Sequence, residues 1–118
     1  MTDIFTTLKT VLETTGKPVF YERLPVNSSP GTQWIRFQRI SAHEFPNMTG
    51  RSNLHRDRFQ VTCAATTHAL LVALVALMET ALYFNGIDFQ VAYPLEGARE
   101  VNDGMETYMK DFYIWYSP

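Results

Sequence analysis

Apolar residues recur at helical spacing in two stretches of the chain and in alternation along five others. Ile4, Leu8, Val11 and Leu12 fall at i, i+4, i+7 and i+8 with Phe5 beside them, one stripe of a helix over residues 3–15. Thr2 or Asp3 can cap its start, and Gly16 before Lys17-Pro18 stops it. The second helix runs from His68 to Asn85, behind possible N-caps at Thr66 and Thr67 and before an Asn85-Gly86 stop. Leu70, Leu71, Leu74, Val75, Leu77, Met78 and Leu82 form its broad sheet-facing stripe. The opposite face, Ala69, Val72, Ala73 and Ala76, is apolar too, which predicts a helix buried on more than one side.

The alternating stretches predict strands. Val19 to Arg23 is short and ends in the breaker-rich run Pro25 to Gly31. In Gln33 to Ser41, Ile35 and Phe37 share one face while Trp34, Arg36 and Gln38 share the other, and Ile40 breaks the alternation as a bulge would. Ala42 to Asn53, polar and carrying Pro46 and Gly50, reads as a long mobile hairpin loop. Leu54 to Ala64 returns with Phe59, Val61 and Cys63 inward. Ile87 to Tyr93 alternates cleanly, Pro94 to Gly104 reads as a polar connection, and Tyr108 to Tyr116 closes the chain. There Phe112, Ile114 and Tyr116 face one way, and Tyr113 and Trp115 the other. The pattern predicts an α+β fold: an antiparallel sheet in the order α-β-β-β-α-β-β, with both helices packed on one face.

Length and composition narrow the functional classes. A chain of 118 residues, 46% apolar and 14% aromatic, fits one globular domain over 1–118. A net charge of −2 argues against a protein that mainly grips nucleic-acid phosphates. The single cysteine, Cys63, excludes an internal disulfide, and its inward position suits an inert core thiol. The start carries an acid at position 3 and no continuous apolar run, so no signal peptide is expected. The longest apolar run, Ala69 to Met78, is about half of what a membrane-spanning helix needs.

No catalytic motif emerges. His43-Glu44 is not part of an HExxH pair, since Asn47 stands where the second histidine would be, and His43, His55 and His68 lack ligand spacing. No metal, cofactor or catalytic residue is therefore assigned, and the chain is read as not an enzyme. What remains are surfaces. Arg51, Arg56 and Arg58 with His55 form the one local basic cluster, suited to a phosphate backbone, to an acidic partner or to a solvated strand edge balanced in part by Asp57. Trp34, Tyr113 and Trp115 share a sheet face that only a partner would cover. Charge is also split: residues 1–60 carry eight Lys+Arg and five Asp+Glu, and residues 61–118 carry two and seven. Oppositely charged halves suit head-to-tail stacking of copies.

The order of elements, more than any single motif, resembles the tail terminator (tail completion) proteins of long-tailed bacteriophages. The resemblance covers nearly the whole chain. It runs from the helix ending in Gly16-Lys17-Pro18-Val19-Phe20, through Tyr21-Glu22-Arg23-Leu24-Pro25 and Trp34-Ile35-Arg36-Phe37, to the return strand Arg58 to Ala64, the Ala/Leu-rich helix and Asp111-Phe112-Tyr113-Ile114-Trp115-Tyr116. It implies a structural virion protein, without enzymatic activity or cofactor, that forms a ring, a hexamer in the family. Such rings cap the completed tail tube at the head–tail junction, stop its polymerisation and join it to the head. The implied partners are further copies of itself, the major tail tube protein and a head completion or connector protein, with DNA passing through unbound and no membrane involved. Before assembly the subunit would reside in the host cytoplasm. By position, tube contacts fall on the 42–53 loop, hence on His43, Glu44 and Arg51. Ring contacts fall on Val72 and Ala76 and on Trp34, Tyr113 and Trp115, and Arg56 and Arg58 are counted among the partner contacts without a side assigned. Two other classes compete: a small oligomeric α+β enzyme with an inter-subunit site, and a single-stranded nucleic-acid binder stacking bases on those aromatics.

Overall fold

The computed structural model describes residues 3–22, 32–46, 53–84, 89–92, 97–102 and 105–116. Helix α1 (Ile4–Glu13) starts on Asp3, whose carboxylate accepts the Phe5 N–H at 3.3 Å. It ends at Gly16, which takes the left-handed backbone (φ +81°) that a side chain would resist. Strands β1 (Val19–Tyr21), β2 (Gln33–Pro46) and β3 (Asn53–Ala65) precede helix α2 (His68–Phe84), and β4 (Phe89–Ala92), β5 (Ala98–Asn102) and β6 (Met105–Tyr116) follow it. Thr67 caps α2, its hydroxyl accepting the Leu70 N–H and its carbonyl the Leu71 N–H.

The strands form one sheet in the order β1-β2-β3-β6-β4, with β5 also on β6. The α+β class and the packing of the helices against the sheet match the sequence reading; three features of the topology differ. First, β1 runs parallel to β2, Val19 beside Ile35. A parallel neighbour needs a long crossover, and residues 22–32 supply it. Second, the polar connection contains β5, so the order is α-β-β-β-α-β-β-β. Asn102 pairs with Met105, and the two residues between them are Asp103-Gly104, a strong hairpin signal. Third, β2 and β3 continue through much of the expected loop, paired from Ser41–Arg58 to Pro46–Asn53. Cross-strand hydrogen bonding holds these polar residues extended although their own pattern does not call for it. The remaining loop residues, 47–52, lie outside the described residues.

One core lies between the sheet and the helices. Ile4, Leu8, Val11 and Leu12 of α1 and Leu71, Leu74, Met78, Ala81 and Leu82 of α2 meet Ile35, Phe37, Phe59, Val61, Cys63, Phe112 and Ile114. Residues directly opposite in the register, such as Phe37–Val61 and Phe59–Phe112, share the helix face as the pleat requires. Phe5, Tyr21, Phe37 and Phe59 add a chain of aromatic contacts with centroids 4.9–6.4 Å apart. The expected bulge is present: the register shifts between Arg39 and Ser41, leaving Ile40 unpaired and exposed. α2 corrects one expectation. Leu77 is 42% exposed rather than sheet-facing, and Val72, Ala73 and Ala76 are exposed as well, so α2 is buried on one side only in the isolated chain. The molecule is elongated, 52 × 28 × 23 Å.

Candidate assembly surfaces

The residues singled out in the sequence fall in three places on this scaffold: the outer sheet face, the exposed side of α2, and the far end of the β2–β3 pair.

The outer face is built by alternation. Trp34, Arg36 and Gln38 of β2 oppose Ala64, Thr62 and Gln60 of β3, and beyond β3 stand Thr107, Met109, Asp111, Tyr113 and Trp115 of β6. Sequence spacing placed Trp34, Tyr113 and Trp115 on one face correctly, but not as one open aromatic platform. Trp34, opposite Ala64 at one end of the face, is only 8% exposed. Tyr113 and Trp115 are half-buried at the opposite end of the face, and the Arg56 guanidinium lies over both rings, 4.9 Å and 5.6 Å from their centroids.

The basic cluster read from the sequence is likewise dispersed. Arg58 is bound to Asp111 at 2.6 Å, joining β3 to β6 across the outer face. Arg56 belongs to the aromatic pair. His55 points to the other side of the sheet and stacks on Tyr116 at 5.3 Å. Arg51 lies outside the described residues. His43 and Glu44 stand at register positions opposite Arg56 and His55, well along the β2–β3 pair.

The exposed side of α2 carries Ala69, Val72, Ala73, Ala76, Leu77, Thr80 and Tyr83, with no charge among them. Val72 (55% exposed), Leu77 and Tyr83 are three of the five large apolar residues exposed among those described. Beyond His68, the only ionisable groups on α2 are Glu79, which accepts from the Lys110 ammonium at 2.9 Å, and the Tyr83 phenol. A neutral, apolar side spanning four turns is the kind of surface that a protein partner covers.

Sequence reasoning missed Asp57. Its side chain is wholly buried on the helix face, and one oxygen, Oδ2, accepts both from Arg39 at 3.2 Å and from the Tyr116 hydroxyl at 2.7 Å. The other oxygen, Oδ1, has no hydrogen-bond partner among the described residues. Burial, reinforced by the bond to Asp57, pushes the Tyr116 phenol up to about 12. Burial likewise pushes the Cys63 thiol up to about 12, which keeps it protonated and unreactive at neutral pH. Among the described residues no three His, Cys, Asp or Glu side chains converge as metal ligands would, and no helix is long and apolar enough to cross a membrane.

No protein-family model and no curated protein matches the chain. Solved structures do match. A chain of the virion of a native gene transfer agent (GTA) particle superposes with a TM-score of 0.64 over 92% of this chain and 85% of its own length, at 13% identity. A second structure, of a protein that carries no functional name, gives a TM-score of 0.62 over 96% of this chain and 89% of its own, at 15% identity. At these identities the likeness is one of fold, and it takes in nearly all of both chains.

Proposed function

We propose that the chain is a structural component of a phage-like virion, and within it the tail terminator: a subunit of a ring that caps the tail tube. The observation that carries this is the whole-length likeness to a chain of a GTA virion. It agrees with the resemblance of the order of elements along the sequence to tail terminators.

The surfaces support a subunit made for assembly. A two-layer molecule has two outer sides. Here one is the uncharged side of α2, with Val72, Ala76, Leu77 and Tyr83, and the other is the sheet face with Tyr113 and Trp115 under Arg56. Unlike surfaces on opposite sides meet head to tail, and a head-to-tail contact closes into a ring when the rotation per copy fits. Six bodies 28 Å wide, touching in a hexagon, leave a hole about as wide as one of them, roomy enough for duplex DNA. The tube protein would meet one rim and the head connector the other, with the far end of the β2–β3 pair, beyond His43 and Glu44, toward the tube.

The test is tail assembly in the absence of this protein. Tubes that overrun their normal length and fail to join heads are expected. Tails of normal length that still join heads would show the terminator reading to be wrong.

A further inference from the structure

Strand β2 outruns its neighbour on one side. β3 pairs with it along its whole length, from Gln33–Ala65 to Pro46–Asn53. On the other edge β1 covers only Ile35 to Phe37. That contact ends at Glu22, which donates its N–H to the Phe37 carbonyl at 2.9 Å and takes the left-handed backbone, φ +67°, turning the chain out of the strand. From Gln38 to Pro46 no strand lies on this edge among the described residues. The side chains described beyond Gln38 are accessible: Arg39, Ile40, Ser41 and Ala42 are all exposed. Alternate residues of such an edge turn their N–H and C=O groups outward, a template for one more strand. The bulge at Ile40 guards only the near part. Past it the register with β3 runs unbroken from Ser41 to Pro46, with no lysine and no proline before Pro46. The opposite edge of the sheet is protected by shortness, since β4 has four residues and β5 five.

We propose that residues 41–46 of β2 pair antiparallel with the same residues of a second copy, joining two sheets across a two-fold axis. An antiparallel pair of identical strands is its own two-fold complement, so this edge needs no other partner. The arrangement also fits the rest of the sheet. β1 stops at the level of Phe37, short of Ser41, so β1 of each copy lies past the end of the paired run. The chain's other edge does not fit in the same place. β4 is level with residues 41–44 across the sheet, and β5 stands in line with it on β6. Arg99 of β5 is level, through Tyr108, Cys63 and Ile35, with Val19 of β1. A copy that laid β4 beside residues 41–44 would drive its β5 into β1. The pairing goes beyond the ring reading: it joins like edges and closes at two copies, leaving the α2 side and the sheet face free for contacts between unlike surfaces.

The experiment is a scan of single cysteines, Ser41→Cys through Phe45→Cys, oxidised under native conditions, with the buried Cys63 of the wild type as blank. A residue beside the two-fold axis lies about 5 Å from its own copy and can form a disulfide. A residue two places away lies about 13 Å from its copy along the strands and cannot. Cross-linked dimers should therefore peak at one or two adjacent positions and fall away on both sides. A flat scan, or no cross-link at any position, overturns the pairing whatever the mass in solution, and leaves the ring reading to the tail-assembly test. Ala42→Pro and His43→Pro add a second readout, because neighbouring residues send their N–H groups to opposite edges. One of the two should melt lower, having lost a bond to β3. The other should melt as wild type and weaken dimerisation at least tenfold in sedimentation velocity. Undiminished dimers in the variant that melts as wild type overturn the pairing. Amide exchange over residues 41–46 that slows only when purified tail tubes are added would overturn the choice of a second copy and give the edge to the tube.

Discussion

The ring of Tyr108 on β6 stands in the space that a side chain on Gly97, just before β5, would need: a Cβ added at Gly97 would fall on the hydroxyl end of the Tyr108 ring. Tyr108 packs against the edge of the core, so the absent side chain at Gly97 sets how close the β5 hairpin lies to the sheet. Gly97→Ala should displace the tyrosine and cost about 1–2 kcal/mol, lowering the melting temperature by roughly 4–8 °C. The check is a double-mutant cycle: in a Tyr108→Ala background the same change should cost much less. An equal cost in both backgrounds would place the strain elsewhere.

Leu74 and Leu77 lie one turn apart on α2 and answer to different environments, 0% and 42% exposed. Leu74→Asp puts an unpaired carboxylate into the core, a loss of several kcal/mol and on the order of a small domain's whole stability. Leu77→Asp should change subunit stability by no more than about 0.5 kcal/mol. If the exposed side of α2 is a ring contact, Leu77→Asp should nonetheless abolish association, because a charge would then be buried in a neutral interface. Circular-dichroism melts and sedimentation of the two variants separate the effects.

How much of this was legible in the chain depends on whether the signal is local. The stripe Ile4, Leu8, Val11, Leu12, the alternation around Ile35 and Phe37, and the break at Ile40 are written in neighbouring residues, and all three stand in the structure. Pairing partners are not written locally. Nothing in Val19-Phe20-Tyr21 says that β1 lies parallel to β2, and the Asp57–Tyr116 bond joins residues 59 apart. Strand β5 was concealed by its polar make-up, Ala98-Arg99-Glu100-Val101-Asn102, although Asp103-Gly104 marked the hairpin. The candidate surfaces divided in the same way. Spacing put Trp34 on the face of Tyr113 and Trp115 but not its burial, and Arg56 and Arg58 are engaged by residues of β6 that no local pattern connects to them.

Alkaline pH should destabilise the fold in a way that two variants can trace. The Cys63 thiol rises from 9.0 to about 12 on folding and the Tyr116 phenol from 10.0 to about 12. Between those limits the folded chain keeps protons that the unfolded chain releases, so stability is full below about pH 9 and falls as pH climbs toward 12. Melts from pH 7 to 11.5 should show the decline, and Cys63→Ala and Tyr116→Phe should each flatten it. At neutral pH the native thiol should resist alkylation and react once denatured.

The buried carboxylate predicts an asymmetry between its partners. Asp57→Ala releases Arg39, already 38% exposed and able to turn to water, and leaves the Tyr116 hydroxyl without its acceptor, a cost of about 1–3 kcal/mol. Arg39→Ala does the opposite. It leaves a wholly buried carboxylate with the Tyr116 hydroxyl as its remaining partner, a loss nearer 3–5 kcal/mol. The partly exposed residue should therefore matter more than the buried one. Urea melts of both variants at pH 7 decide the point. A loss in Arg39→Ala no larger than that in Asp57→Ala would mean that Asp57 finds another partner and that the Arg39 contact is not what holds its charge.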